Sequence, residues 1–363
     1  MKVRIDKSVF LEAQDADKQL ELSFLLHIIL YKHRYELKVT DSEILGCECF
    51  SKLMQAEKTA VEQEIALSII ASNTDADCEV KVGGELEWKK RIFSPEEAVL
   101  FLMQPISVIL ENSLNDAYFM NAIFQLFDSS GELTRYVNEG WLRFENAGGC
   151  ANVKNFLRSR IGYYGEKEKF LRCFVLLDGD RRFPADTEAG KKYSRLKAQL
   201  SNWNVGYHVL EKRSMENYIP DEAMNALSND DTKEWIMAYQ SLSAEQKDFF
   251  CMAEGFRKDI TREEKRKVSD KESHLQGTGL SRRRKSYVRE YLSQAEQNFY
   301  QDVSEGNFLH LESGLKLGDF KVEFPKSFTN TSFVYKSNLL ARTSHQGDPY
   351  ELEHIVQKVH SLL

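Results

Sequence analysis

The chain has little proline, only six residues in 363, and no run of 18 or more apolar residues. The second absence argues against a membrane-spanning helix. The opening stretch MKVRIDKSVFLEAQDADKQL lacks the apolar core of a secretion signal. Six cysteines lie scattered at 47, 49, 78, 150, 173 and 251. Only Cys47 and Cys49 are close, and no second pair or spaced histidines complete a zinc set. Reduced thiols in a soluble cytoplasmic protein are therefore expected. Internal repeats and long low-complexity linkers are also missing.

Excess positive charge is lacking too. The formal charge of −7 argues against a uniformly basic nucleic-acid binder. A local basic face is a different matter. Between Arg257 and Arg289 there are twelve Lys/Arg against five Asp/Glu, a balance of +7. Such a run reads either as a solvated helix surface or as a track for a phosphate backbone. Arg282, Arg283, Arg284 and Lys285 are its densest part.

What is present is a change of texture along the chain. Residues 1–104 read as an α+β segment, a candidate docking surface for a partner. In it, 22–37 and 56–72 fit either a helix or a strand, and 78–93 alternates about a Gly-Gly pair like a hairpin. Ser94, Pro95 and the acids after them mark a helix start. From 105 to 225 the pattern is β then α. Strands are expected at 106–110, 141–146, 173–177 and 204–211, and helices at 116–127, after Gly148-Gly149, and at 187–203. This predicts an α/β unit with a Rossmann-like, mostly parallel sheet and helices on both faces. Residues 226–363 read as mainly helical, with a β-like patch at 318–325 and a last helix at 350–362.

In open α/β sheets ligands bind beyond the carboxyl ends of the strands. Glu111 directly follows the first strand of this unit, Asp178 and Asp180 follow the third, and Glu211 and Glu216 lie at or past the end of the fourth. Clustered carboxylates repel one another unless a cation neutralises them. A hard divalent ion such as Mg²⁺ takes oxygen ligands and bridges carboxylates to phosphate. Two such ions can hold the attacking and leaving oxygens of a phosphodiester. Taken singly, each acid has a plainer reading: Asp178-Gly-Asp180 as a surface turn, Asp116 as a helix cap, Glu211 as an exposed acid facing Lys212 and Arg213. The ordered set on successive strand ends favours the metal site.

The order ILENSLNDAYF, a Gly-Gly segment, VLLDGD and RSMENYIP resembles the TOPRIM domain of the OLD (overcoming-lysogenization-defect) nucleases over about residues 105–220. The resemblance implies a TOPRIM fold and a metal-dependent endonuclease. It implies Mg²⁺ or Mn²⁺, one or two ions, on Glu111, Asp178, Asp180 and Glu216, with Asp116 and Ser214 as further ligands. The pattern departs at the first motif: Asn112 stands where glycine is usual, and Asp116 lies five residues after Glu111 instead of four. A lysine downstream is expected to steady transition-state charge, with Lys265, Lys267, Lys271 and Lys285 as candidates. No GxxxxGK[ST] phosphate loop is present. The chain thus resembles stand-alone members, which act beside a separate ATPase in bacterial antiphage defence. DNA, RNA or tRNA as substrate, and homodimerisation, are left open. A regulatory subunit that binds such an ATPase, with little activity alone, is the competing reading.

Overall fold

The segments ISVIL and CFVLL bury every residue along their length, as strands covered on both faces must. The computed structural model describes residues 1–70, 75–84, 86–163, 170–277 and 286–363. It contains two four-stranded sheets, each parallel throughout. The first consists of β1 (Lys2–Ile5), β2 (Glu36–Lys38), β3 (Cys78–Val80) and β4 (Ile92–Phe93), in the order β2-β1-β3-β4. The second consists of β5 (Ile106–Leu110), β6 (Leu142–Asn146), β7 (Cys173–Leu177) and β8 (Gly206–Val209), in the order β6-β5-β7-β8. Both therefore run second, first, third, fourth.

The second sheet is sandwiched. Val108, Leu110, Phe174 and Leu176 point into one core, shared with the helix Ser113–Phe127 and the C-terminal helices. Ile109, Cys173, Val175 and Leu177 point into another, shared with the helices Cys150–Tyr163 and Thr187–Asn202. This period-two division of one apolar run is the strand geometry at work. The expectation of an α/β unit with helices on both faces holds.

Two local readings differ. Residues 78–93 are no hairpin: Glu79 pairs with Ile92 and Val80 with Phe93 in parallel. Gly83 and Gly84 are both left-handed, and a helical turn at Trp88–Lys90 brings the chain around to re-enter in the same direction. The patch 318–325 is helical at Phe320–Glu323. Its Phe-x-Val-x-Phe alternation arises because Phe320 and Phe324 stack one helical turn apart, centroids 4.8 Å apart, and bury while Val322 stays exposed. The ambiguous runs resolve as helices Ala16–Leu30 and Gln55–Ile70, the former followed by β2. Among the described residues no helix is long and apolar enough to cross a membrane.

The last helix, Glu351–His360, locks onto the second sheet. Glu351 accepts from His208 (2.7 Å), from the Tyr218 hydroxyl and from the Glu211 backbone N–H (2.7 Å).

Candidate metal centre at the strand ends

Between β5 and β7 the order of connections reverses, which makes their carboxyl ends the switch point where an α/β sheet opens a crevice. Glu111 is the first residue past β5 and Asp178 the first past β7. A cavity of about 520 Å³ lies there. Glu111, Asp116, Asp178, Asp180, Ser214 and Glu216 all line it, so the structure brings together the five acids and the serine named as ligands. Glu211 does not join them; it lines a separate pocket with Gly347.

The Asp-Gly-Asp turn is shaped by its neighbours. A Cβ on Gly179 would overlap the Lys212 carbonyl oxygen and lie 2.6 Å from that of Leu210. The glycine is thus required by close backbone approach, and the left-handed residue of the turn is Asp180, at φ +53°. Asp180 N donates to the Arg213 carbonyl (2.8 Å), fastening the turn to the segment that carries Ser214 and Glu216. Ser214 caps the helical turn Met215–Tyr218 through Asn217, whose Oδ1 accepts from the Ser214 hydroxyl at 2.8 Å. Gly148 and Gly149, both left-handed, close the third side, with Gly149 N donating to the Glu111 carbonyl (3.2 Å).

Asp116 combines both readings offered by the sequence. Its Oδ2 accepts from the Asn112 N–H (2.8 Å) at the start of the helix Ser113–Phe127, and its carboxyl also faces the cavity. Burial, opposed by that N–H and reinforced by Glu216 and Glu111, pushes it up to about 7. Asp178 is held well above the usual carboxylate range, by burial first and then by Glu216, Glu111, Asp116 and Asp180. Glu111 is raised by burial and by Asp180. Its Oε1 is buried without a hydrogen-bond partner. An acid cluster of this kind is strained in the charged form, which a cation would relieve.

The cations nearby are mostly engaged. Arg213 holds Asp259 through two nitrogens (3.0 and 2.6 Å), and Lys258 pairs with Glu254 (2.6 Å). Lys321 lines the cavity and makes no ion pair among the described residues. Asp180 Oδ2 accepts from both Lys192 Nζ and the Tyr193 hydroxyl. The two arginines after the turn have separate duties. Arg182 pairs with Asp186 and Glu296, while Arg181 donates to the Glu211 carbonyl and lies over the Phe249 ring.

The donor set is all oxygen, as Mg²⁺ or Mn²⁺ prefers, and the orphaned Glu111 Oε1 is the kind of atom such an ion satisfies. By chemistry the residues fit the group. They do not form a finished cage: among the described residues no three His, Cys, Asp or Glu side chains stand together in that way. Asp180 is turned toward Lys192 and Tyr193, as Asp116 is toward the Asn112 N–H and Ser214 toward Asn217.

Of the lysines expected from the sequence, Lys265 faces Glu254 (3.9 Å), Lys267 pairs with Glu263 (2.7 Å) and Lys271 with Glu290 (2.9 Å). None of them lines the cavity. Lys258 and Lys321 occupy that place. Lys321 was hidden because its segment reads as a strand, and Lys258 because nothing in the sequence folds residue 258 back over residue 111. Arg282, Arg283, Arg284 and Lys285 lie outside the described residues. The described part of the basic stretch is laced with ion pairs, Arg257 to Glu272 and Arg289 to Glu305 among them.

In comparison with known proteins, no family model, curated protein or solved structure matches the chain.

Proposed function

We propose that the protein is a metal-dependent nuclease that hydrolyses phosphodiester bonds of nucleic acid. One observation carries this reading: acids from three strand ends line one cavity at the switch point, with Asp178 forced up by burial and its four acidic neighbours. Glu111, Asp178 and Glu216, with Asp116, Asp180 and Ser214 around them, would hold one or two Mg²⁺ or Mn²⁺ ions. When bound, such ions activate water and neutralise charge gathering on the phosphate. The chain's own residues do the rest. The fastened Asp178–Asp180 turn sets the spacing of the carboxylates. Lys321 at the mouth and Lys258 beside it attract the phosphate backbone, and the basic stretch 257–289 extends that attraction in a salt-dependent way. The resemblance adds the setting: an effector of bacterial antiphage defence acting beside a separate ATPase.

The test is cleavage of defined DNA and RNA substrates with Mg²⁺ or Mn²⁺ and with chelator. Asp178→Ala and Glu216→Ala are expected to abolish cleavage. Full activity in both variants would sink the assignment.

A second reading, docking to a partner subunit, is favoured by one specific surface. The helices Ala16–Leu30 and Pro95–Met103 leave Leu20 71%, Phe24 43%, Leu100 49% and Met103 52% exposed. Asp17, Glu21 and Glu96 rim the same groove. With Lys18 the groove carries three acids against one base, which favours an amphipathic helix of the proposed ATPase subunit flanked by Lys/Arg. Phe24→Asp with Leu100→Asp should abolish co-purification with the proposed ATPase subunit. A complex that survives both changes removes this surface from the account. The two readings are compatible, with the partner restraining the nuclease.

A further inference from the structure

Behind the Asp-Gly-Asp turn lies a second pocket, of about 380 Å³. Gly179 forms part of its wall, while Asp178 and Asp180 line the acidic cavity on the other side. Tyr193 links the two: it lines this pocket and its hydroxyl bonds to Asp180. The charged groups here are Arg181, Lys197 and Glu211, and among the described residues none of the three side chains makes an ion pair. Val209, Leu210 and Ala189 supply an apolar wall.

Gly190 is the telling residue. It sits inside the helix Thr187–Asn202, where glycine is unfavourable. Its φ is not left-handed, and an added Cβ would meet nothing within 4 Å. Neither backbone conformation nor packing requires a glycine there. What it does is keep the pocket open and its backbone approachable.

The geometry points to a nucleotide subsite flanking the scissile phosphate. This rests on the nuclease reading of the adjoining cavity. The phosphate is held by Arg181 and Lys197, the sugar or base lies against Val209, Leu210 and the Tyr193 ring, and the Glu211 carboxylate accepts from a hydroxyl or amine. Two cations and one acceptor around a half-apolar wall match a sugar–phosphate unit better than a bare anion, which leaves Glu211 and the wall unused. The subsite places the neighbouring nucleotide one backbone turn from the acids, and the Tyr193–Asp180 bond ties its occupancy to the position of a ligand carboxylate.

The test uses the full chain in EDTA, titrated calorimetrically with each of the four nucleoside 5′-monophosphates and with inorganic phosphate. The wild type should bind at least one mononucleotide at least tenfold more tightly than phosphate. Gly190→Leu, which improves helix propensity while filling the pocket, and Lys197→Glu should each lose at least tenfold. Wild-type affinity in Gly190→Leu, equal affinity for phosphate, or no mononucleotide binding overturns the subsite. The two readings fail separately: cleavage with unchanged KM in Gly190→Leu removes the subsite and leaves the nuclease. Mononucleotide binding sensitive to Gly190→Leu in a protein that cleaves nothing removes the nuclease and leaves a nucleotide site.

Discussion

Gly179 and Lys212 meet backbone to backbone, so closely that a Cβ on the glycine would overlap the lysine carbonyl oxygen. The contact welds the end of β7 to the segment leading to Ser214 and Glu216, alongside the Asp180 N–H bond to Arg213. Two acids distant in sequence are positioned by a contact that only glycine permits.

Gly179→Ala is therefore expected to push the two segments apart. Overpacking of this kind costs about 1–3 kcal/mol. Urea denaturation should show that loss, together with loss of cleavage. Gly190→Leu, a glycine change with open space around it, is the control and should leave stability unchanged or raised.

In the proposed metal site Lys192 would compete with the ion for Asp180. Its ammonium and the Tyr193 hydroxyl both occupy Oδ2. Lys192→Met should free the carboxylate and remove a positive charge from the edge of the cluster, tightening Mn²⁺ binding by roughly 1.5–5-fold, the scale of a partly exposed ion pair. Weaker binding in this variant would mean that Lys192 organises the site.

The acid cluster also fixes a pH dependence. Asp116, at about 7, and Asp178, higher than an ordinary carboxyl, bind protons more tightly in the native than in the unfolded chain. Between about pH 4 and the raised values the native state thus holds more protons, and its stability falls as pH rises. Thermal melts in EDTA should show the sequence-specific part of this fall reduced in Asp178→Asn. That variant should be the more stable protein at pH 8 by on the order of 1 kcal/mol, at the expense of activity. A wild type more stable than Asp178→Asn at pH 8 contradicts the strained cluster.

Asp248 anchors the other side of the Lys212 segment. It accepts from buried Lys212, from Arg342 (3.0 Å) and from His345 (2.7 Å). Asp248→Ala leaves buried Lys212 and Arg342 without the carboxylate they share and should cost about 3–5 kcal/mol, read by chemical denaturation. Deletion of a charge this central with no effect would show the network to be dispensable.

The sequence made the second sheet and its acids legible for a physical reason. The two central strands, β5 and β7, are short runs of apolar residues, and Glu111 and Asp178 directly follow them, so position along the chain translates into position at one edge. Glu111 and Asp178 could be placed by that rule alone; for the fourth strand it offered Glu211 and Glu216 alike, and only Glu216, carried on the helical turn Met215–Tyr218, lines the cavity. Lys258 and Lys321 could not, because they reach the cavity only through packing of helices that follow no alternating rule. The first sheet was harder to read: its strands are two to four residues long, too short for periodicity to show direction, so the parallel return of β4 looked like a hairpin. The role of Gly179 was half visible. The Asp-Gly-Asp spacing marks a turn, but the reason for its glycine lies in the Lys212 backbone across from it.

The most direct test of the account is a Mn²⁺ titration of the full chain at pH 7.5, followed by electron paramagnetic resonance. One or two ions should bind the wild type, binding should be lost in Asp178→Asn, and it should persist in Glu211→Gln, whose carboxylate lines the other pocket. A wild type that binds no Mn²⁺, or an Asp178→Asn variant that binds it equally well, would contradict the metal site.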